Sequence, residues 1–392
     1  MTPHISFVTV TGAGHINPAL ALAEELVRRG YRVSYAVTEE YRFRTESRGV
    51  EPLLYRSTLP TESPSEIDPQ SRMVRTLTLF VDETIAMVEQ LERAYENDKP
   101  DVISYDGPIM AGRILALEWG LPAVRLHPLF AVPEGRSPEN VVTTVEKFIP
   151  AMAARLADFL ADRGLSSLTV DQLMNHAEQC CISFLPRAFQ IDGDSFDERF
   201  TFAGPCLGDD RIFENGWEGP VDDRPVLLIS LGTVFNSNMD FFDTCLRAFA
   251  DLPWHVVIAS GDRINPVELG PIPDNIEIHP HVPQLTVLAR ASVFLSHAGM
   301  TSVMEALYHG TPIVAVPQSS EHDVTAQRIQ ELGLGRVVRR DEVSAASLRM
   351  AVLEVAGDEG IRMRADQMGR LVRMVGGRAG AADRVESFLR AR

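Results

Sequence analysis

Short runs of β-branched and apolar residues recur along this chain, each followed by a helix-length segment, and that alternation leaves few folds open. Ile5–Val10, Arg32–Val37, Asp101–Tyr105 and Ala123–Leu126 are such runs in the first half. Val226–Ser230, His255–Ala259, Ile276–Val282, Val293–His297 and Thr311–Val316 repeat the pattern in the second. Strands this continuously apolar are buried on both faces, as in a parallel sheet covered by helices. Between the halves lies DDRIFENGWEGPVDDR, residues 209–224, a polar stretch without periodicity. The 392 residues are therefore read as an N-terminal domain over 1–208, a linker over 209–224 and a C-terminal domain from 225. The first helix is expected to start at Asn17 as N-cap, with Pro18 in the first helical position, and to stop before Gly30.

Charge narrows the partners. Against 54 acidic side chains stand 37 Lys and Arg, a net charge of −17. A nucleic acid or an anionic membrane surface selects clustered cations, so neither is expected. No apolar run approaches the ~20 residues of a membrane span, and MTPHISFVTV lacks the basic start of a secretory signal. The four cysteines, Cys180, Cys181, Cys206 and Cys245, form no C-x-x-C pair. A cytoplasmic chain with reduced thiols is expected, as a monomer or weak homodimer.

Two constellations carry chemistry. The stretch from His281 to Arg328 reads helix, strand, tight turn, helix, strand, loop, helix. Its strand VFLS delivers His297 to the carboxyl edge of a sheet, and Gly299 permits close backbone approach. Met300, Thr301 and Ser302 then occupy a first helical turn, whose N–H groups and positive dipole end form an anion site. Glu305, one turn on, suits paired sugar hydroxyls. A strand–turn–helix with a capping serine explains the same residues without a ligand, and both readings stand at this point. The second constellation is His15 with Asp106, each placed at a strand end of the first sheet. A neutral imidazole oriented by a carboxylate can take a proton from an attacking hydroxyl. A polar turn residue and ordinary Asp-Gly turn chemistry are the plainer alternatives.

Taken together, Gly14–Pro18 (GHINP), Ser230–Thr233 (SLGT), Val282-Pro283-Gln284, then His297, Gly299, Ser302 and Glu305, then Pro317 and Glu321 follow a known order. They resemble the family 1 nucleotide-sugar glycosyltransferases, in particular bacterial macrolide and flavonoid UDP-glycosyltransferases. The resemblance implies an α/β GT-B fold, two facing Rossmann-like domains with parallel sheets. It implies that 225–375 binds the nucleotide sugar and that a C-terminal helix over 376–392 packs back on the N-terminal domain. It implies that His297 binds the donor diphosphate, helped by Ser302, Thr233 and the turn Ser230–Gly232, with Gly299, Met300 and Thr301 at the same helix start. Gln284 and Glu305 contact the nucleoside beside Val282, and Glu321 bonds hydroxyls of the sugar. Three positions depart from the pattern. His281 stands where an aromatic often stacks on the base, Thr301 where asparagine is common, and His322 where glutamine reads sugar hydroxyls. Glucose is the default sugar, with galactose or a deoxysugar open, and UDP against dTDP is undecided.

The implied activity is a metal-independent, inverting transfer with His15 as base and Asp106 behind it. It needs no cofactor beyond the UDP-sugar co-substrate. The acceptor, expected to be a hydrophobic small molecule of macrolide or polyphenol type, falls by position to loops 57–80 and 127–150. Met73, Leu77, Phe80, Met110 and Phe130 are candidates for its apolar wall, or for core. An epimerase or hydrolase of the same fold, an NAD-dependent oxidoreductase and a non-catalytic sugar-nucleotide binder are the competing classes. Gly12-x-Gly14 opens like a dinucleotide fingerprint, but Asn17-Pro18 replaces its third glycine. Asp192-Gly193-Asp194 reads as an exposed turn, and His279 with His281 lacks a third metal ligand.

Overall fold

A computed structural model of the chain describes residues 2–60, 69–107, 109–133, 150–169, 172–173, 176–208 and 216–392. Two compact units divide it: unit 1 is Met1–Cys206 with Gly376–Arg392, and unit 2 is Leu207–Val375.

Unit 1 is built on seven parallel strands. They are β1 (His4–Val8), β2 (Arg32–Val37), β3 (Glu51–Leu54), β4 (Val102–Asp106), β5 (Ala123–His127), β6 (Cys181–Ser183) and β7 (Phe200–Phe202). Their spatial order is β3-β2-β1-β4-β5-β6-β7. The chain moves outward from β1 on one side, then returns to place β4 on the other. The pair β1/β4 is thus a topological switch point, where an α/β sheet opens a crevice at its carboxyl edge. Unit 2 repeats the plan with six parallel strands. These are β8 (Val226–Ser230), β9 (His255–Ala259), β10 (Ile276–His279), β11 (Ala291–Ser296), β12 (Ile313–Ala315) and β13 (Gly335–Val337). Their order is β10-β9-β8-β11-β12-β13, with its switch point at β8/β11.

Helices cover both faces because the strands are apolar on both. In unit 1, Phe7, Tyr35, Val124 and Leu126 pack against the helix Ala13–Arg28, while Val8, Ile103 and Tyr105 pack toward Ala111–Trp119. The closing helix Gly377–Arg390 belongs to unit 1: Ala381, Ala382, Val385 and Phe388 bury there. Arg29 ties it to the first helix, with Nη1 2.6 Å from Asp383 and 3.2 Å from Glu386. Of the stretch read as a linker, residues 216–224 are described. The Trp217 indole N–H donates to Glu277 of β10, and Arg290 donates to the Glu218 carbonyl. All four cysteines are buried and unpaired.

The first helix corrects the sequence expectation. It starts at Ala13, not after Asn17, and Pro18 lies inside it. Gly12, extended at φ −145°, is the N-cap, and its carbonyl accepts from both His15 N–H and Ile16 N–H at 2.9 Å. Proline's fixed φ suits a helix, so its interior position forfeits one backbone donor without ending the segment.

Candidate active site

The switch point of unit 1 joins two residues far apart in sequence. Because the helix begins at Ala13, His15 stands in its first turn, just beyond the end of β1. Asp106 is the last residue of β4, in register with Leu126 of β5. His15 Nδ1 lies 2.6 Å from Asp106 Oδ2, with the histidine side chain 18% exposed and the aspartate 1%. The Val10 N–H donates to the same carboxylate, 3.2 Å from Oδ1. A carboxylate buried this far is costly unless charged or polar donors surround it. Here a backbone N–H and an imidazole N–H do so. With Nδ1 as the donor, Nε2 keeps a lone pair that can accept a proton.

The switch point of unit 2 is built around one buried ring. His297 follows β11, and its N–H reaches the Ser230 carbonyl at the end of β8. Ala298 then takes the left-handed conformation, φ 64°, and Gly299 caps the helix Met300–His309 with no side chain to satisfy the first turn. The chain thus turns sharply enough to pin the imidazole between two glycines. A Cβ on Gly299 would stand 2.3 Å from His297 Nε2, and one on Gly232 2.7 Å from the ring. Neither position admits a larger residue. Ser230 Oγ accepts the Gly232 N–H, fixing that turn.

His322 packs edge-on against His297, centroids 4.7 Å apart at 88°, and Phe235 closes its other side at 5.2 Å. Burial depresses both imidazoles, His322 to about 4 and His297 to about 3, the latter also because His322 is close. Both are neutral at pH 7. Each Nδ1 is buried without a hydrogen-bond partner. Below the helix start, Gln284 Nε2 donates to Glu305 Oε2 at 2.6 Å and lies 3.4 Å from Ser302 Oγ. Gln284, Ser302 and Glu305 are therefore one cluster, although Glu305 is 1% exposed. Gln284 orients its carboxylate.

The other expected residues differ in exposure. Met300 is buried, and Thr301 is half-buried in the same first turn. Val282 is half-buried, whereas Thr233 and Glu321 are exposed. His281 is exposed and pairs with Asp262 at 2.9 Å. β10 ends at His279, so His281 sits in the turn after the strand and not within it. Met110 is 3% exposed and belongs to the core of unit 1, the second of the two readings given for it. Leu77 and Phe80 pack at the rim of that core, and Phe130 stacks on Phe189 at 5.8 Å. The side chain of Met73 lies outside the described residues. Asp192 precedes a short 3-10 turn, Gly193–Ser195, that contains Asp194. Among the described residues no group of three or more His, Cys, Asp or Glu is placed to hold a metal ion. Reasoning from sequence passed over Phe235 and Asn236, whose partners lie far off in the chain.

Known proteins resemble this chain along nearly their whole length. The chain is 42% identical to the NDP-glycosyltransferase YjiC of Bacillus licheniformis, over 98% of each chain. It belongs to the family 1 glycosyltransferases of GT-B fold. It is also 35% identical to the oleandomycin glycosyltransferase of Streptomyces antibioticus, over 99% of this chain and 91% of that one. Residues 243–372 match the family described as erythromycin biosynthesis protein CIII-like, C-terminal domain. The crystal structure of CalG4, the calicheamicin glycosyltransferase, superimposes with a TM-score of 0.88 at 39% identity, covering 99% of this chain and 98% of that one. This glycosyltransferase is accordingly an enzyme, and the epimerase, oxidoreductase and non-catalytic readings fall away.

Proposed function

We propose that the enzyme moves a hexose, glucose by default, from a UDP-sugar to a hydroxyl of a hydrophobic small molecule, with inversion at the anomeric carbon. The His15–Asp106 pair carries this reading: a buried carboxylate 2.6 Å from an imidazole Nδ1 orients the ring so that the Nε2 lone pair acts as base. The acceptor O–H gives its proton to Nε2 as its oxygen attacks C1 of the donor. The C1–O bond to the diphosphate breaks, and UDP leaves with the bonding pair. Asp106 stabilises the imidazolium that forms. In unit 2, His297, Ser302 and the amides opening Met300–His309 meet the growing negative charge, while Gln284 and Glu305 hold the nucleoside. These donors come from the chain itself, so the reading is metal-independent; full turnover in EDTA is expected, and loss of turnover would refute it.

His15→Ala is the direct test. It is expected to keep its UDP affinity and lose at least about 100-fold in transfer. Retained turnover would remove His15 as base. Macrolides and polyphenols are the acceptor classes, since Leu77, Phe80 and Phe130 offer half-buried apolar surface, and relatives include the oleandomycin enzyme. A second reading, a dTDP-deoxysugar donor, is favoured by His322 standing where glutamine reads sugar hydroxyls. A 34% identical relative is named demethyllactenocin mycarosyltransferase. Mass spectrometry of UDP- and dTDP-sugars against mixed phenolic and macrolide acceptors separates the two.

A further inference from the structure

The carboxyl edge of the second sheet holds a polar side chain that the reading above leaves unused. Asn236, in the loop after β8, is 5% exposed, and its Oδ1 is buried without a hydrogen-bond partner. Leaving a buried carboxamide oxygen unpaired is unfavourable, and such atoms in native proteins call for an explanation. Its position supplies one. A Cβ on Gly261 would stand 1.8 Å from Asn236 Nδ2, and Gly261 has φ +72°. Glycine at 261 is thus the notch that seats the carboxamide. The Gly261 N–H donates to the Pro280 carbonyl at 2.9 Å, which joins the notch to the turn bearing His281, Val282 and Gln284. On the other side, the preceding residue Phe235 packs on His322. Asn236 therefore lies between the turn assigned to the nucleoside and His322, which packs on the His297 assigned to the diphosphate. A diphosphate ionised at neutral pH has almost only acceptor atoms and does not satisfy Oδ1. A nucleoside does, through a ribose hydroxyl or the N3–H of a pyrimidine.

We propose that Asn236 is a specificity-determining residue for the nucleoside of the donor, its Oδ1 accepting from a ribose hydroxyl or the base N–H. This rests on unit 2 being the donor site. Calorimetry tests it with UDP, 2′-deoxy-UDP, 3′-deoxy-UDP, N3-methyl-UDP and inorganic pyrophosphate on the full-length enzyme and on Asn236→Leu, Asn236→Ala and His297→Ala. Both Asn236 variants are expected to bind UDP about tenfold more weakly and pyrophosphate unchanged, while His297→Ala weakens both ligands. The alanine variant adds no bulk, so it guards against a leucine that disturbs the loop. The analogue lacking the recognised donor should bind the wild type weakly and be indifferent to the Asn236 substitutions, which identifies the group read. Wild-type UDP affinity in the Asn236 variants, with His297→Ala impaired, overturns the proposal. So does a parallel loss of pyrophosphate. Unchanged UDP affinity in His297→Ala as well would instead refute the donor site itself.

Discussion

An imidazole sealed from water holds a proton poorly, and His297 and His322 are sealed together. Their folded-state values, about 3 and about 4, lie below the ~6.5 of an unfolded chain. The unfolded state therefore takes up more protons between roughly pH 6.5 and pH 4, and stability falls as pH drops through that window. Urea midpoints for unit 2 should decline on acidification from pH 7 to pH 5, and His297→Asn with His322→Gln should flatten the decline. A second residue-scale prediction concerns the notch around His297. Gly299→Ala puts a methyl 2.3 Å from Nε2, so it should weaken UDP binding by at least about tenfold while leaving His15 and Asp106 untouched. Calorimetry with unchanged UDP affinity would contradict the pinned-ring geometry. At this scale the sequence told much: the cluster Gln284–Ser302–Glu305 and the pair His15–Asp106 come from motif positions. Asn236 did not, because its significance lies in a glycine 25 positions away (236 to 261) that only the folded loop brings near.

Elements were legible where burial is two-sided. β2, β8 and β9 match the apolar runs end to end, as strands covered by helices on both faces leave a continuous apolar signal. β3, β6, β7 and β13 escaped notice. Three of them are only three residues long, and β3 contains Pro52 at the sheet's edge, where a missing donor is tolerated. The start of the first helix was misplaced because a proline pattern outweighed an N-cap glycine. One contact between elements yields a sharp expectation. Gly112 lets the helix Ala111–Trp119 lie directly on the sheet, since a Cβ there would be 2.5 Å from Tyr105 Cβ and 3.1 Å from Val8 Cβ. Tyr105 precedes Asp106. Gly112→Val should cost about 1–3 kcal/mol by overpacking and lower transfer more than UDP affinity. Urea unfolding and calorimetry together check it. Loss of UDP binding in step with transfer would argue against a disturbance confined to β4.

At the scale of the molecule, the closing helix matters most. Gly377–Arg390 fills a groove along the first helix with Ala381, Ala382, Val385 and Phe388, and Arg29 joins Glu25, Asp383 and Glu386 across the contact. Removing residues 377–392 strips unit 1 of part of its core while sparing the core of unit 2. Calorimetric scans of the truncated enzyme should show the transition of unit 1 lowered or absent and that of unit 2 retained. A single unshifted transition would mean the helix is dispensable. The expectation of a returning helix came from resemblance, since an arginine-rich helical tail says nothing by itself about where it docks.

Unit 1 takes both Met1–Cys206 and Gly376–Arg392, so unit 2 is a guest spliced between residues 206 and 376. A chimera that borrows a relative's unit 2 therefore needs two seams, one at each splice, with the native tail kept. A single-seam exchange would give the host's first helix a foreign tail, and its failure to fold would say nothing about sugar specificity.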